Sequence, residues 1–199
     1  MIAQPIMPNR YNDQQASEGL HPKKLLLTLL IVSICMMFAA FTSAYIVRRA
    51  EGNWLDFELP SLFLYTSIII VLSSITMQWA QYSAKKDNLE TMRLMLGLTA
   101  LLGVAFLVGQ YMAWADMVAN NVFFGGDSAN PSGSFLYVLT GLHGFHIITG
   151  LIFLIIVLIS AFQYKVHSKS MLRIDLCTIY WHFLGALWMY LYIFVLINH

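Results

Sequence analysis

The stretch Phe135–Phe162 reads FLYVLTGLHGFHIITGLIFLIIVLISAF and contains no Asp, Glu, Lys or Arg. A segment of about 20 predominantly apolar residues is long enough to cross the hydrocarbon core of a bilayer. Because that core holds no water, the backbone N–H and C=O groups of such a segment must bond to one another, as they do in a helix. The stretch therefore predicts a transmembrane α-helix.

The same pattern recurs through the chain, which has 199 residues, 59% of them hydrophobic and 11% charged. Soluble domains carry about 25% charged residues, so the composition excludes an ordinary soluble protein. Four further stretches of suitable length also lack charged residues: Leu25–Val47, Ser61–Tyr82, Leu94–Ala115 and Leu176–Ile197. The alternating pattern of a membrane β-barrel is absent. We predict an all-α polytopic membrane protein, a bundle of five transmembrane helices.

The residues outside the spans predict a simple domain organisation. Residues 1–24 form a polar arm with three prolines, and a single five-helix domain follows over 25–198. The first span follows too long a polar segment, and its apolar run is too long, for a cleavable signal peptide, so we expect it to be retained. Cys35 and Cys177 differ in their predicted depth in the membrane, and we expect no disulfide between them.

The distribution of Lys and Arg predicts the orientation, because cytoplasmic loops are enriched in these residues. With the N-terminus inside, the external side holds only Arg48 and Arg49. The other nine basic residues then lie on the internal side: Arg10, Lys23, Lys24, Lys85, Lys86, Arg93, Lys165, Lys169 and Arg173. We predict a cytoplasmic N-terminus and a periplasmic C-terminus.

Three histidines lie inside the predicted spans, His143 and His146 in GLHGFHIITG and His182 in the last span. Ionisable residues within a membrane are costly and are candidates for function. A neutral imidazole can bind haem iron or zinc, and His146 with His182 is the pair best matched in depth. The spans contain no Asp or Glu to complete a zinc site or a proton path. We expect these histidines to hold helices together or to contact lipid.

Small and polar residues at helical spacing mark the faces on which membrane helices contact one another. The last span carries such residues on one face, and the fourth carries a notch of glycines beside its histidines. The candidates for helix packing or lipid contact are His143, His146, His182, Gly141, Gly144, Trp181, Gly185, Trp188 and Gln110. Since the first and third spans also have faces of this kind, we expect a compact bundle.

Four motifs resemble subunit III of the haem–copper oxidases, the family of cytochrome c oxidase and quinol oxidase. They are FTSAYIVRR with Tyr45 and Arg48, GQYMAW with Gln110, GLHGFHIITG, and YWHFLGALWMYLYIF. The resemblance extends over about residues 20–198, with the motifs in the family's order. Five spans are similar to the short bacterial form, which lacks the first two helices of the seven-helix form. Tyr45 and Arg48 join the packing and lipid-contact candidates on this ground.

The resemblance implies a subunit with no catalytic residue, metal or haem of its own. In the family, subunit I holds the haems and one copper, and subunit II often holds another copper. Subunit III packs against subunit I, binds phospholipid and helps sustain proton uptake in a complex that reduces oxygen to water. We therefore expect subunit I as the main partner, with subunit II and membrane phospholipids, in the bacterial inner membrane. We expect no nucleic-acid partner.

The sequence departs from the family at three interior positions. Many members carry a glutamate in the helix equivalent to the first one here, where this chain has Ile34. Many carry a glutamate after the Gln of the third helix, and here Ala113 stands in that place. Many have an aspartate after the WHF motif, and here the residue is Gly185. A role that requires a titrating carboxylate at these positions is not expected of this chain.

The residues leave two other functions open. One is a membrane haem anchor that uses His146 and His182, and the other is a small transporter or channel. Transporters often show inverted repeats and broken helices, which we do not find in this sequence. The sequence does not select between cytochrome c and quinol as electron donor. It also does not identify the partner's haem type, the bound lipids or membership of a respiratory supercomplex.

Overall fold

The computed structural model describes residues 22–52, 54, 57, 59–126, 130–163 and 171–198. These residues form five α-helices, all long and apolar enough to cross a membrane, which confirms the predicted all-α polytopic fold. The helices are α1 Pro22–Ala50, α2 Leu62–Lys85, α3 Leu89–Ala119, α4 Pro131–Phe162 and α5 Leu172–Asn198. Most of the predicted polar arm and the internal loop at 164–170 lie outside the described residues.

Two helices begin before their apolar spans, because a capping side chain, rather than the first apolar residue of the span, determines where each helix starts. The side chain of Asn88 accepts a hydrogen bond from the backbone N–H of Thr91, so α3 begins at Leu89, five residues before the apolar span that starts at Leu94. Asn130 caps α4 in the same way, and Pro131 stands at the first helical position. Both are preferred arrangements at helix N-termini.

Four helices surround one interior, and the fifth lies beside them. α2 packs along α3, α3 against α4, α4 against α5, and α5 back against α2. α1 lies against α4 and α5. Within the apolar segment of α5, 44% of the residues are buried, against 17% for α1. α5 is therefore the central helix of the bundle, and α1 is peripheral.

The interior is closed by two tryptophans of α5 that bond to serines of α2. The indole Nε1 of Trp181 donates to Ser73 Oγ at 3.1 Å, and that of Trp188 donates to Ser67 Oγ at 2.9 Å. Both indole rings are fully buried, so their N–H groups need partners within the protein. Together they fix the rotation and register of α5 against α2.

Candidate functional site

The three histidines singled out in the sequence lie in three different environments. His143 is fully buried, with its ring centroid 5.8 Å from that of Phe106 and 5.2 Å from that of Trp188. Neither of its ring nitrogens has a hydrogen-bond partner among the described residues. His143 thus fills space between α3, α4 and α5 as an aromatic ring, at the cost of two unpaired polar atoms.

His146 and His182 lie against different helices. The ring of His146 stands 5.9 Å from the ring of Phe38 on α1, and its Nδ1 lies 2.7 Å from the carbonyl oxygen of Leu142. His182 Nε2 instead bonds to Gln78 Oε1 on α2 at 3.0 Å. The two imidazoles therefore contact different helices, His146 contacting α1 and His182 contacting α2. Among the described residues, no group of three or more His, Cys, Asp or Glu side chains could hold a metal ion.

Gln110 is buried on α3, and only one end of its side-chain amide has a hydrogen-bond partner among the described residues. Its Nε2 donates to Thr66 Oγ1 at 3.1 Å, and the Thr66 hydroxyl donates in turn to the carbonyl of Phe63. The Oε1 of Gln110 has no partner within the described part of the chain. Gln110 also helps to line a surface groove between α3 and α4.

Gly141 and Gly144 form the α4 side of that groove, and no other helix in the described part of the chain packs closely against them. A Cβ added to Gly144 would meet no atom within 4 Å, and one added to Gly141 would lie 3.8 Å from the Trp114 ring. The groove has a volume of about 290 Å³, and exposed aromatic side chains of both helices flank it. Its lining residues are Leu107, Gln110, Tyr111, Trp114, Gly141, Gly144, Phe145 and Ile148.

Tyr45 and Arg48 lie at the end of α1. The hydroxyl of Tyr45 donates to the carbonyl of Asn198 at 3.3 Å, which links the last turns of α1 and α5. The buried Tyr45 ring is surrounded by other aromatic rings, including Trp54 and Phe135. Arg48 forms a 2.8 Å ion pair with Glu51 at the surface. Tyr45 therefore links the ends of α1 and α5, whereas the Arg48 ion pair is local to the end of α1.

The three positions at which many family members carry a carboxylate are packed in apolar or crowded surroundings. Ile34 and Ala113 are both buried and belong to the hydrophobic core. Gly185 is buried against α2, and a Cβ built on it would lie 3.0 Å from Ser74 Oγ. The residues at these three places carry no charge and need no charged partner.

A second group of polar residues was missed by the sequence reasoning. Gln81 Nε2 donates to Asp175 Oδ1 at 2.8 Å, and Gln78 Nε2 donates to Gln81 Oε1 at 3.2 Å. With the His182 bond to Gln78, these contacts connect α2 and α5 over three consecutive hydrogen bonds. The available signal was the spacing of Gln78 and Gln81, which places both amides on one face of the second span.

Taken together, the fold and the interior define a multi-pass membrane protein. The chain matches the family model of cytochrome c oxidase subunit III over residues 11–198. It belongs to the cytochrome c oxidase subunit III family, as its motifs predicted.

Three relatives illustrate the range of this similarity. The chain is 27% identical over 177 residues to the cytochrome bo(3) ubiquinol oxidase subunit 3 of Buchnera aphidicola, covering 86% of this chain and 92% of that protein. It is 31% identical over 163 residues to the probable cytochrome c oxidase subunit 3 of Nocardia farcinica, covering 79% and 78%. It is 32% identical over 140 residues to the cytochrome c oxidase subunit 3 of Petromyzon marinus, covering 69% of this chain and 49% of that protein. Because the Buchnera protein is named for ubiquinol and the other two for cytochrome c, similarity alone does not select the electron donor.

Proposed function

We propose that this chain is the accessory subunit III of a terminal haem–copper oxidase in the bacterial inner membrane. The observation that carries the proposal is the family match over residues 11–198, which includes all five helices. The chain would pack against the haem-bearing subunit I and lie near subunit II. It would hold phospholipid and support proton uptake, while the haems and coppers reside in its partners.

The basic residues support a cytoplasmic N-terminus. Arg93 donates to the carbonyl of Ala161 at 3.0 Å, and Arg173 donates to Ser160 at 3.4 Å, so both cations lie where α4 ends. Arg48 and Arg49 lie at the opposite end of the bundle, in the last turn of α1. Since positive charge is retained on the cytoplasmic side, the end with Arg93 and Arg173 faces the cytoplasm.

The groove between α3 and α4 supports the proposed lipid contact. It is lined mostly by apolar side chains, and Gly141 and Gly144 widen it because they carry no side chains. An acyl chain is apolar and narrow enough to lie in a channel of this kind. The surrounding large apolar side chains, such as Tyr111 and Phe145, are exposed on the membrane-facing surface.

The experiment that tests the proposal is purification of the tagged chain from its own membranes in a mild detergent. A reduced-minus-oxidised spectrum would be recorded, and the co-purifying chains would be identified by mass spectrometry. We expect a haem signal that follows a larger membrane partner and is absent when the chain is expressed alone. A colourless preparation without a large membrane partner would contradict the proposal.

A double variant, His146→Ala with His182→Ala, controls for haem bound by the chain itself. Under the proposal, the haem spectrum per copy of the large partner is unchanged by this variant. A Soret band that the isolated chain retains, and that the double variant loses, would instead establish the haem-anchor alternative.

A further inference from the structure

The hydrogen-bonded residues Asp175, Gln81, Gln78 and His182 form a continuous polar seam along the outer side of the contact between α2 and α5. Gln78 is exposed, while Gln81, Asp175 and His182 are partly buried. Their bonds are 2.8 Å from Gln81 to Asp175, 3.2 Å from Gln78 to Gln81 and 3.0 Å from His182 to Gln78. The seam crosses two helices and connects groups that are far apart in the sequence.

The carboxylate of Asp175 determines the direction of every hydrogen bond in the polar seam. An ionised carboxylate only accepts, so the amide nitrogen of Gln81 must face it. The Oε1 of Gln81 then faces Gln78 and requires the amide nitrogen of that residue. Gln78 consequently presents its own oxygen to His182, which must carry its proton on Nε2. This tautomer leaves the Nδ1 of His182 as an acceptor.

Both ends of the polar seam keep free capacity for hydrogen bonding. Within the described part of the chain, the Oδ2 of Asp175 and the Nδ1 of His182 have no hydrogen-bond partner, and Asp175 has no ion pair. His182 lies seven residues beyond Asp175, which places it about 10 Å further along the helix axis. The polar seam thus extends from the membrane boundary, where α5 begins, about two turns into the bilayer.

A seam of this kind is costly to leave against lipid. Neighbouring side chains on the same surface, Ile75, Trp79 and Ile179, are exposed and apolar. Polar and ionisable residues within membrane helices almost always face protein or a water-filled cavity. The two free acceptors, one of them anionic, specify an occupant that brings hydrogen-bond donors and a positive charge.

We propose that the polar seam is the docking surface for a transmembrane helix of the oxidase's haem-bearing subunit. That helix presents Arg or Lys to Asp175 at the membrane boundary and a donor, such as a hydroxyl, to His182 about two turns deeper. The charge complementarity favours a protein helix, because its side chains can place a cation and a deeper donor at a fixed separation. This inference rests on the proposed function and adds the face by which the chain docks.

The test compares two variants of the polar seam, Asp175→Asn and Gln78→Leu, in the full complex. The readout is the amount of haem-bearing subunit recovered per tagged chain over a series of rising detergent concentrations. An interhelical hydrogen bond in a membrane protein is worth about a threefold change in an equilibrium constant. We expect at least about that loss of recovered partner for either variant. Recovery equal to that of the unmodified chain would overturn the inference.

Matched controls lie on other faces of the same bundle. Glu90→Gln removes a carboxylate from the first turn of α3, and Tyr65→Leu removes an exposed hydroxyl group from a face of α2 that points away from Gln78. We expect both variants to retain the partner as the unmodified chain does. Equal losses from control and seam variants would contradict a docking role specific to the seam.

A photo-cross-linking residue placed at Gln78 tests the same inference without depending on the stability of a variant. Irradiation should join this position to the haem-bearing subunit, while the same residue at the exposed position Tyr65 should not. A cross-link from Gln78 to lipid or to this chain's own residues 164–170 would overturn the inference.

If the unmodified chain recovers no haem-bearing subunit at all, the proposed function fails. If it does recover that subunit and the seam variants do so equally, only the docking face is wrong.

Discussion

Two pairs of glycines on α3 and α4 have opposite surroundings. At Gly103 and Gly150, an added Cβ would lie 2.8 Å from the ring of Trp181 and 2.8 Å from a methyl of Leu184, respectively. At Gly144 it would meet nothing within 4 Å, and at Gly141 it would make only an ordinary contact. The first pair makes room for a side chain inside the bundle, whereas the second pair opens a groove on its surface.

The difference shows that a glycine in a membrane helix has at least two structural uses. Gly103 and Gly150 come from different helices and hold the indole of Trp181 between them. Gly141 and Gly144 come from one helix, and no neighbouring helix within the described part of this chain fills the space they leave. The first use stabilises the isolated chain, and the second offers space to something outside it.

The largest effect is expected from Trp181→Ala, which removes the side chain that the first pair of glycines encloses. The variant loses a fully buried ring and leaves Ser73 without its indole donor. We expect a loss of about 3–5 kcal/mol in the free energy of unfolding, the usual cost of emptying such a site. Unfolding of the isolated chain in mild detergent would measure it. A loss below about 1 kcal/mol would contradict this prediction, because it would mean that the neighbouring side chains fill the space left by the ring at little cost.

The next largest effect is expected from Gly103→Leu. Even its Cβ would stand 2.8 Å from Cη2 of a rigid indole, so either the ring or α3 must shift. Overpacking of this kind costs about 1–3 kcal/mol, and the same unfolding measurement detects it. Gly150→Leu is the informative companion, because its closest contact is the mobile end of Leu184 and its cost should be smaller. The reverse order would contradict the distinction between rigid and flexible neighbours.

A smaller effect is expected from His143→Leu. The imidazole contacts Phe106 and Trp188 as a ring, but its two nitrogens are buried without partners among the described residues. Replacement by an apolar side chain removes that penalty and loses some aromatic contact, so we expect the free energy of unfolding to change by less than about 1 kcal/mol. Thermal unfolding in detergent is a sufficient measurement. A loss of several kcal/mol would imply a buried hydrogen-bond partner for His143, such as a water molecule.

The smallest effect on the chain itself is expected from Gly144→Leu. Because the space beside Gly144 is open, the isolated chain should unfold as the unmodified chain does, within about 0.5 kcal/mol. The new side chain would occupy the groove, so native mass spectrometry should find less lipid bound per chain. Unchanged lipid binding would remove the groove as a lipid site. A marked loss of stability would remove the contrast between the two glycine pairs.

Much of the fold could be predicted from the sequence. Runs such as Phe135–Phe162 carry no charge, and a bilayer leaves a backbone of that composition little alternative to a helix. The helix ends were harder to predict, because the N-terminal caps at Asn88 and Asn130 start α3 and α4 before their apolar spans begin. The motifs around His143 and Trp181 also indicated the family, which the match over residues 11–198 confirms.

The site was less predictable. The residue pattern grouped Gly144 with Gly185 as small residues on contact faces. Both are buried, but a Cβ on Gly185 would lie 3.0 Å from Ser74 Oγ, whereas one on Gly144 would meet nothing within 4 Å and would point into the groove. It also gave no reason to connect Gln81 with Asp175, which are 94 residues apart in the chain. Such contacts depend on the rotation and register of two helices, and no short sequence window records either quantity.

The amino-acid sequence alone is sufficient to predict a membrane protein of five helices and its membership of the subunit III family. Those conclusions follow from local composition and motif spacing, because each span must satisfy its own backbone within the bilayer. The packed structure was needed to show which glycines are covered by a neighbouring side chain, which histidine is buried among aromatic rings and which one joins the polar seam. These outcomes depend on how the helices pack, and packing is set by the fit of many side chains at once rather than by any one residue.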